Sequence, residues 1–115
     1  MSIQIMREPV SLDELRGIAG KQFGDFVKAV VDIRRGVMAI GGELHADEEA
    51  LLIEDGARQV DLWGINLFPG GAPGELIEFD SMINVRPSQS NRSREVEDPS
   101  VRRQIEDVVG RLIAP

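Results

Sequence analysis

The part of the sequence richest in ligand-binding groups is residues 84–94, Asn-Val-Arg-Pro-Ser-Gln-Ser-Asn-Arg-Ser-Arg. Each of its three guanidinium groups can bind a phosphate or carboxylate through two parallel hydrogen bonds, and the amides and hydroxyls add further contacts. From residue 86 to 94 no acidic side chain competes for them. We therefore predict that this segment, with the acid before it, binds an anionic small ligand or an acidic segment of a partner. The predicted binding residues are Asp80, Asn84, Arg86, Gln89, Asn91, Arg92 and Arg94.

The charge balance supplies a structural alternative. The chain has 20 acidic and 13 basic residues and a formal net charge of -7. Arg92 and Arg94 can therefore pair with acids of the chain itself, such as Asp80, Glu95 or Glu97. The same balance argues against nucleic-acid binding, because attraction to a phosphate backbone needs a basic face.

A second candidate site surrounds His45, which is the only histidine in the chain. Glu43, His45 and Asp47 alternate, so an extended backbone would turn all three side chains to one side. With Asp80 they form a candidate site for a divalent metal ion, and the alternative function is a metal-assisted hydrolase centred on His45, Glu43 and Asp80. The competing interpretation places Asp47 at a helix N-cap, where backbone N–H groups occupy its carboxylate, and leaves His45 in a loop.

Two neighbouring segments are predicted to form a hairpin that positions these groups. Residues 60–68 are apolar on both faces, which is typical of an interior strand, and residues 69–74 carry the proline and glycines of a turn. Residues 75–86 then alternate, so a strand there has one largely apolar face and one polar face that is either solvated or one wall of a cleft. The first face comprises Ile77, Phe79, Ser81, Ile83 and Val85, and the second comprises Glu78, Asp80, Met82, Asn84 and Arg86.

The rest of the chain predicts one more strand, a second hairpin and three helices. Ile3 and Ile5 alternate with their neighbours and predict a short edge strand that ends near Arg7, and residues 26–34 and 37–40 form the second hairpin. Ser11 and Glu14 make a capping box for a helix that ends near Gly24. A second helix begins at Asp47 and ends at Gly56, although residues 51–53 are equally compatible with a buried strand. A third helix begins at Asp98 with Pro99 in its first turn. The glycine pair before the second helix indicates a β-bulge or a close approach of the backbone.

These elements predict an α+β domain with a mostly antiparallel sheet of about five strands, namely two hairpins plus the N-terminal strand, packed against helices. Residues 1–115 are expected to form a single domain. No apolar run reaches the roughly 20 residues that a membrane helix needs, and no secretory leader is evident, so we expect a cytoplasmic protein. Exposed sheet edges would favour a homodimer.

Four segments, residues 41–49, 61–66, 78–87 and 91–94, resemble a family of small prokaryotic proteins known only as domain of unknown function 5674. The resemblance covers nearly the whole chain. It implies a stand-alone prokaryotic domain and no particular activity. Family members often carry glycine where this chain has Ser90 and Glu95, which implies a strained or altered turn here if either glycine has a positive φ.

Overall fold

The computed structural model describes residues 3–72 and 74–115 and confirms the α+β fold. Five antiparallel strands form one sheet in the order β1-β4-β3-β5-β6, so the predicted N-terminal strand does lie at an edge. A short parallel pair, β2 with β7, joins the two ends of the chain and was not predicted. No helix in the described residues is long and apolar enough to cross a membrane. The strands are β1 (Gln4–Met6), β2 (Val10–Ser11), β3 (Val27–Asp32), β4 (Val37–Ile40), β5 (Leu62–Leu67), β6 (Ile77–Glu78) and β7 (Ile113–Ala114), and the helices are α1 (Leu12–Lys21), α2 (His45–Glu54) and α3 (Pro99–Leu112).

The sheet has hydrophobic residues on both faces, as the apolar residues on both faces of segment 60–68 predict. On one face, Val27, Ala29 and Val31 pack in a core with α1 and α3, together with the buried Trp63. On the other face, Val30 packs in a smaller cluster under α2. Each valine buried in this way contributes roughly 1.5–3 kcal/mol. The result is a sheet between two layers of helix.

The predicted caps of α1 and α3 are confirmed. The backbone N–H of Glu14 donates to the Ser11 hydroxyl at 3.1 Å, and the Glu14 carboxylate accepts from the N–H of Ser11 at 3.5 Å. At α3, the N–H of Ser100 donates to Asp98 at 2.8 Å, with Pro99 in the first turn. Both signals are local to a few residues, which is why the sequence alone locates them.

The start of α2 differs from the prediction. The helix begins at His45, its N-cap is Leu44 without a side-chain cap, and Asp47 lies inside the first turn. Tertiary contacts determine this start, because the buried Glu48 side chain folds back and accepts from the N–H of Gly42 at 2.9 Å. A Cβ on Gly42 would lie 2.8 Å from Cγ of Glu48, so the predicted close approach at the glycine pair is confirmed.

The long strand predicted over residues 75–86 is wrong. Strand β6 ends at Glu78, and 3₁₀ turns follow at Met82–Asn84 and Pro87–Gln89. The chain turns because Ser81 sits against Gly64 of β5, where an added Cβ would lie only 2.5 Å from Cβ of Ser81. Ile77 and Phe79 pack against the main core as predicted, whereas Ile83 packs against the opposite cluster and Val85 is exposed. The predicted polar face of this strand therefore does not form.

Candidate binding cleft

Asn84, predicted to bind a ligand, is buried and holds the backbone together. Its Oδ1 accepts from the N–H of Gly64 at 2.8 Å. Its Nδ2 donates to the carbonyls of Gly64 at 2.9 Å and of Arg94 at 3.0 Å. These bonds link β5 to the arginine-rich segment, so the folded chain uses this amide itself.

Asn91 has the same structural role. Its Nδ2 donates to the carbonyls of Asn84 at 2.7 Å, Ser93 at 3.1 Å and Glu95 at 2.7 Å. Its Oδ1 accepts from the N–H of Glu97 at 2.9 Å. With four backbone partners and a buried position, Asn91 offers nothing to a ligand.

Arg86 and Gln89 also contact the chain itself. Arg86 donates to the carbonyls of Gln59, at 2.6 Å, and of Leu62, and its guanidinium carbon lies 4.3 Å from the ring centre of Trp63. Gln89 accepts from Arg86 at 3.0 Å. Burial lowers the pKa of Arg86. A cation stacked on an aromatic face and bonded to carbonyls stabilises this segment, and it is not presented to an anion.

The turn that carries Gln89 contains backbone strain at Ser90. Ser90 has φ 60°, and among the described residues it is the only non-glycine residue with a positive φ. For an L-residue this conformation costs roughly 1–2 kcal/mol. The glycine implied at this position by the family resemblance therefore has a conformational reason, whereas Glu95 has none of this kind.

Arg92 and Arg94 differ from each other. The Nε of Arg94 lies 2.6 Å from Oδ1 of Asp80, so the structural alternative holds for this pair. In the described part of the chain the Arg92 guanidinium forms no salt bridge, and its backbone N–H donates to Glu97 at 2.9 Å. Asp80 and Arg94 border a cleft, and Arg92 does not line it.

This cleft has a volume of about 440 Å³ and lies between the first turn of α2, the ends of three strands and the segment after β6. Three of its polar residues form a row across the sheet, because Lys28 on β3 is paired with Asn66 on β5, and Asn66 is paired with Glu78 on β6. Paired residues of antiparallel strands point to the same face. The polar side chains that line the cleft are Lys28, His45, Asn66, Glu78, Asp80, Ser81 and Arg94.

Asn66 has one polar atom left over. Its Nδ2 donates to Glu78 Oε1 at 2.8 Å and to the Asp80 carbonyl at 3.3 Å. Both partners are acceptors, so the amide orientation is fixed. The Oδ1 atom is buried and has no hydrogen-bond partner among the described residues. Such an unpaired acceptor is uncommon in folded proteins and costs about 1–3 kcal/mol.

His45 is the first residue of α2 and is buried, and it is not the loop residue that the capping interpretation predicted. Its Nε2 lies 2.8 Å from the carbonyl of Ile65, so this nitrogen must carry the proton of the neutral ring. Burial lowers the pKa of His45, and the nearby Lys28 and Arg94 lower it further. The ring is therefore neutral at pH 7, and Nδ1 is left as an acceptor.

Lys28 is the cation of the cleft without a carboxylate partner. It is half-buried and forms no salt bridge within residues 3–72 and 74–115. Its ammonium group lies 5.3 Å from the ring centre of Phe23. Lys28 and Asn66 were not among the residues predicted from the sequence, and Glu78 was named only as part of the polar face of the predicted strand. The signal was present, because Lys28 and Asn66 interrupt strands that are otherwise almost entirely apolar.

The predicted metal site does not assemble. In the described part of the chain, no three His, Asp or Glu side chains come together as a group that could hold a metal ion. Glu43, His45 and Asp47 cannot alternate on one side, because the latter two lie in the first turn of α2. His45 and Asp80 both line the cleft, but Nε2 of His45 is bonded to a carbonyl and Asp80 is paired with Arg94.

Comparison with known proteins gives a family and no activity. A family model described as "Protein of unknown function (DUF5674)" matches residues 4–112. The resemblance noted from four segments of the sequence is therefore confirmed. No curated protein and no solved structure matches the chain.

Proposed function

Because the chain belongs to the DUF5674 family, whose description assigns no activity, we propose a function from the cleft itself: the protein is a binding module for a small anionic ligand. The observation that carries this proposal is Lys28, a half-buried cation that lines the cleft without a carboxylate partner in the described residues. A carboxylate or phosphate of the ligand would complete the pair.

The other groups of the cleft restrict the rest of the ligand. Nδ1 of the neutral His45 accepts a hydrogen bond, so the ligand should carry a donor next to its anionic group. Glu78 and Asp80 would repel a second negative charge, although Asp80 is partly neutralised by Arg94. These features fit a hydroxy- or amino-carboxylate better than a dicarboxylate. Apolar side chains at the rim, Leu44 and Met82, would cover the ligand's carbon atoms.

This proposal keeps part of the prediction made from residues 84–94 and adds to it. Asp80 and Arg94 stay as binding residues, while Asn84, Arg86 and Asn91 stabilise the fold. A homodimer and a cytoplasmic location remain predictions.

The test is a titration followed by ¹H–¹⁵N NMR with propionate, lactate and alanine, which differ at one carbon atom. We expect saturable shifts of the Lys28, His45 and Asn66 amides, larger for lactate or alanine than for propionate because only these two can donate to His45.

Lys28→Gln should abolish the shifts. Lys21→Gln is the matched control, because Lys21 is the only other lysine and does not line the cleft. Equal shifts in Lys28→Gln and the unmodified protein, or shifts confined to other surfaces, would overturn the proposal.

A further inference from the structure

A second group of cations lies at the opposite end of β3. A shallow cavity of about 320 Å³ is lined by the turn between β3 and β4 and by the C-terminal half of α3. Its polar lining consists of Arg34, Arg35, Gln104, Asp107 and Arg111. Arg34 is six residues from Lys28, which is roughly 20 Å along an extended strand. This cavity is therefore separate from the cleft.

Arg111 contributes a guanidinium without a carboxylate partner. Asp107 lies four residues earlier on α3, which is the favoured spacing for a helical ion pair. In the described part of the chain no such pair forms, and Nη2 of Arg111 donates instead to the carbonyl of Gly36 at 3.3 Å. The side chain thus reaches across to the turn and leaves its other N–H groups without a partner there.

Gly36, in the turn between β3 and β4, allows the guanidinium of Arg111 to come close to the backbone. Gly36 has φ 69°, in the left-handed region that glycine adopts without strain. A Cβ at this position would lie 2.5 Å from Nη2 of Arg111. Any other residue at position 36 would therefore strain the turn and displace the guanidinium.

Arg34 and Arg35 are anchored and keep spare donors. Nε of Arg34 lies 3.2 Å from Asp61, and its two terminal nitrogens form no hydrogen bond with the described residues. Arg35 pairs with the buried Asp32 at 2.7 Å through Nε and with Asp55 at 3.2 Å through Nη1. Nη2 of Arg35 is buried without a partner. Arg34 is therefore held through Nε alone and keeps both terminal nitrogens for a ligand, whereas Arg35 is held through Nε and Nη1 and has only the buried Nη2 left.

We propose that this cavity binds a phosphate-type oxyanion. Three guanidinium groups and one carboxylate, Asp107, line the cavity. Arg34 and Arg35 are already neutralised by the acids they pair with, so the positive charge available to an anion is that of Arg111, and Arg34 adds N–H donors beside it. Screening at physiological ionic strength limits repulsion from distant acids to within about 8 Å. A phosphate offers several oxygens and up to two negative charges to several guanidinium groups, whereas a carboxylate satisfies one.

The test is a ¹H–¹⁵N NMR titration with inorganic phosphate at constant ionic strength, repeated with acetate. We expect saturable shifts of the Arg34, Arg35 and Gly36 amides with a Kd on the order of 1 mM, as for a solvent-open site. Acetate should bind at least about ten-fold more weakly, because it engages a single guanidinium.

Two variants change the affinity in opposite directions. Arg111→Gln should weaken phosphate binding at least about ten-fold, and Asp107→Asn should tighten it several-fold, because it removes the only carboxylate of the cavity. Arg103→Gln, on α3 but outside the cavity, is the control. Shifts that do not saturate, equal responses to acetate and phosphate, or an unchanged affinity in Arg111→Gln would each overturn the proposal. Lys28→Gln should leave phosphate binding here unchanged, so this test is independent of the cleft.

Discussion

The arginine-rich segment, residues 84–94, and the cleft adjoin each other at Asp80 and Arg94 and contain similar side chains, but they use them differently. In the segment, the side-chain amides of Asn84 and Asn91 form all their hydrogen bonds with backbone groups. In the cleft, Asn66 retains an unpaired oxygen and Lys28 an unpaired charge. What indicates a binding site is therefore the hydrogen-bonding capacity that remains after folding.

The physical reason lies in the backbone. The segment has only short 3₁₀ turns, so many of its N–H and C=O groups lack partners in regular structure and must be satisfied by side chains. The cleft side chains of Lys28, His45 and Asn66 stand on strands and a helix, whose backbones satisfy one another. The ammonium group of Lys28, Nδ1 of His45 and Oδ1 of Asn66 are thus left for other contacts.

The largest effect should come from removing the amides that hold the segment. Asn84→Ala leaves the buried N–H and C=O of Gly64 without this partner, and Asn91→Ala releases four backbone groups, of which the Asn84 carbonyl is fully buried. Since each unsatisfied buried group costs about 1–3 kcal/mol, we expect the free energy of unfolding in urea to fall by about 4 kcal/mol in Asn84→Ala and by about 2 kcal/mol in Asn91→Ala. Arg92→Ala, in the same segment, should change it by less than about 0.5 kcal/mol. A loss below about 1 kcal/mol in both Asn variants would contradict the structural role.

The next effect depends on pH and concerns Glu48, one helical turn after His45. Burial raises the pKa of Glu48 to about 9 from 4.5, so the folded protein binds a proton that the unfolded chain releases between these values. Stability should therefore fall as the pH rises from 4.5 to 9, by up to about 1.4 kcal/mol per pH unit.

Glu48→Gln keeps an acceptor for Gly42 and removes this dependence. The variant should match the unmodified protein below pH 4.5 and exceed its stability by about 3 kcal/mol at pH 7, as measured by urea unfolding at several pH values. Glu54→Gln, an exposed acid at the other end of α2, is the control. Parallel pH profiles for Glu48→Gln and the unmodified protein would show that Glu48 is ionised in the fold.

A smaller effect should come from the contact that ends β6. Gly64→Ala places a Cβ 2.5 Å from Cβ of Ser81 and should cost about 2 kcal/mol through overpacking. Ser81→Gly should recover part of this loss in the double variant, whereas Ser81→Ala should not, because it keeps the Cβ. Thermal unfolding of the variants measures this coupling. Additive losses would mean that the two residues do not meet.

The smallest effect on stability should come from the ion pair at the cleft. Asp80 and Arg94 are both substantially exposed, with 41% and 54% of their side-chain surface accessible. Asp80→Asn should therefore reduce the free energy of unfolding by less than about 1 kcal/mol, while it frees Arg94 and raises the affinity of the cleft for a carboxylate. A large loss of stability would mean that Asp80, like Asn84 and Asn91, is needed to stabilise the fold.

The predictions from sequence were confirmed where they depend on residues close together in the chain, and they were wrong where a distant residue makes the decisive contact. The caps at Ser11 and Asp98 involve neighbours within three residues, and the two-residue period of residues 26–34 follows from the extended backbone of one strand, β3. The alternation in residues 75–86 was equally regular, but the close fit of Ser81 against Gly64 overrode it. The residues of that segment do not show that Gly64, which is 17 residues earlier in the chain than Ser81, lies against it.

The sequence by itself determined the fold class, two helix starts, the two hairpins and the apolar faces, because these depend on the period of hydrophobic residues and on local turn chemistry. Only the tertiary structure decided which polar side chains remain available. The side chains of Asn84 and Asn91 bind backbone groups, and His45 is a neutral, buried ring. Lys28 and Asn66 lie side by side because the register of β3 and β5 pairs them. Desolvation and hydrogen-bond pairing are properties of the assembled neighbours, and residues far apart in the chain supply them.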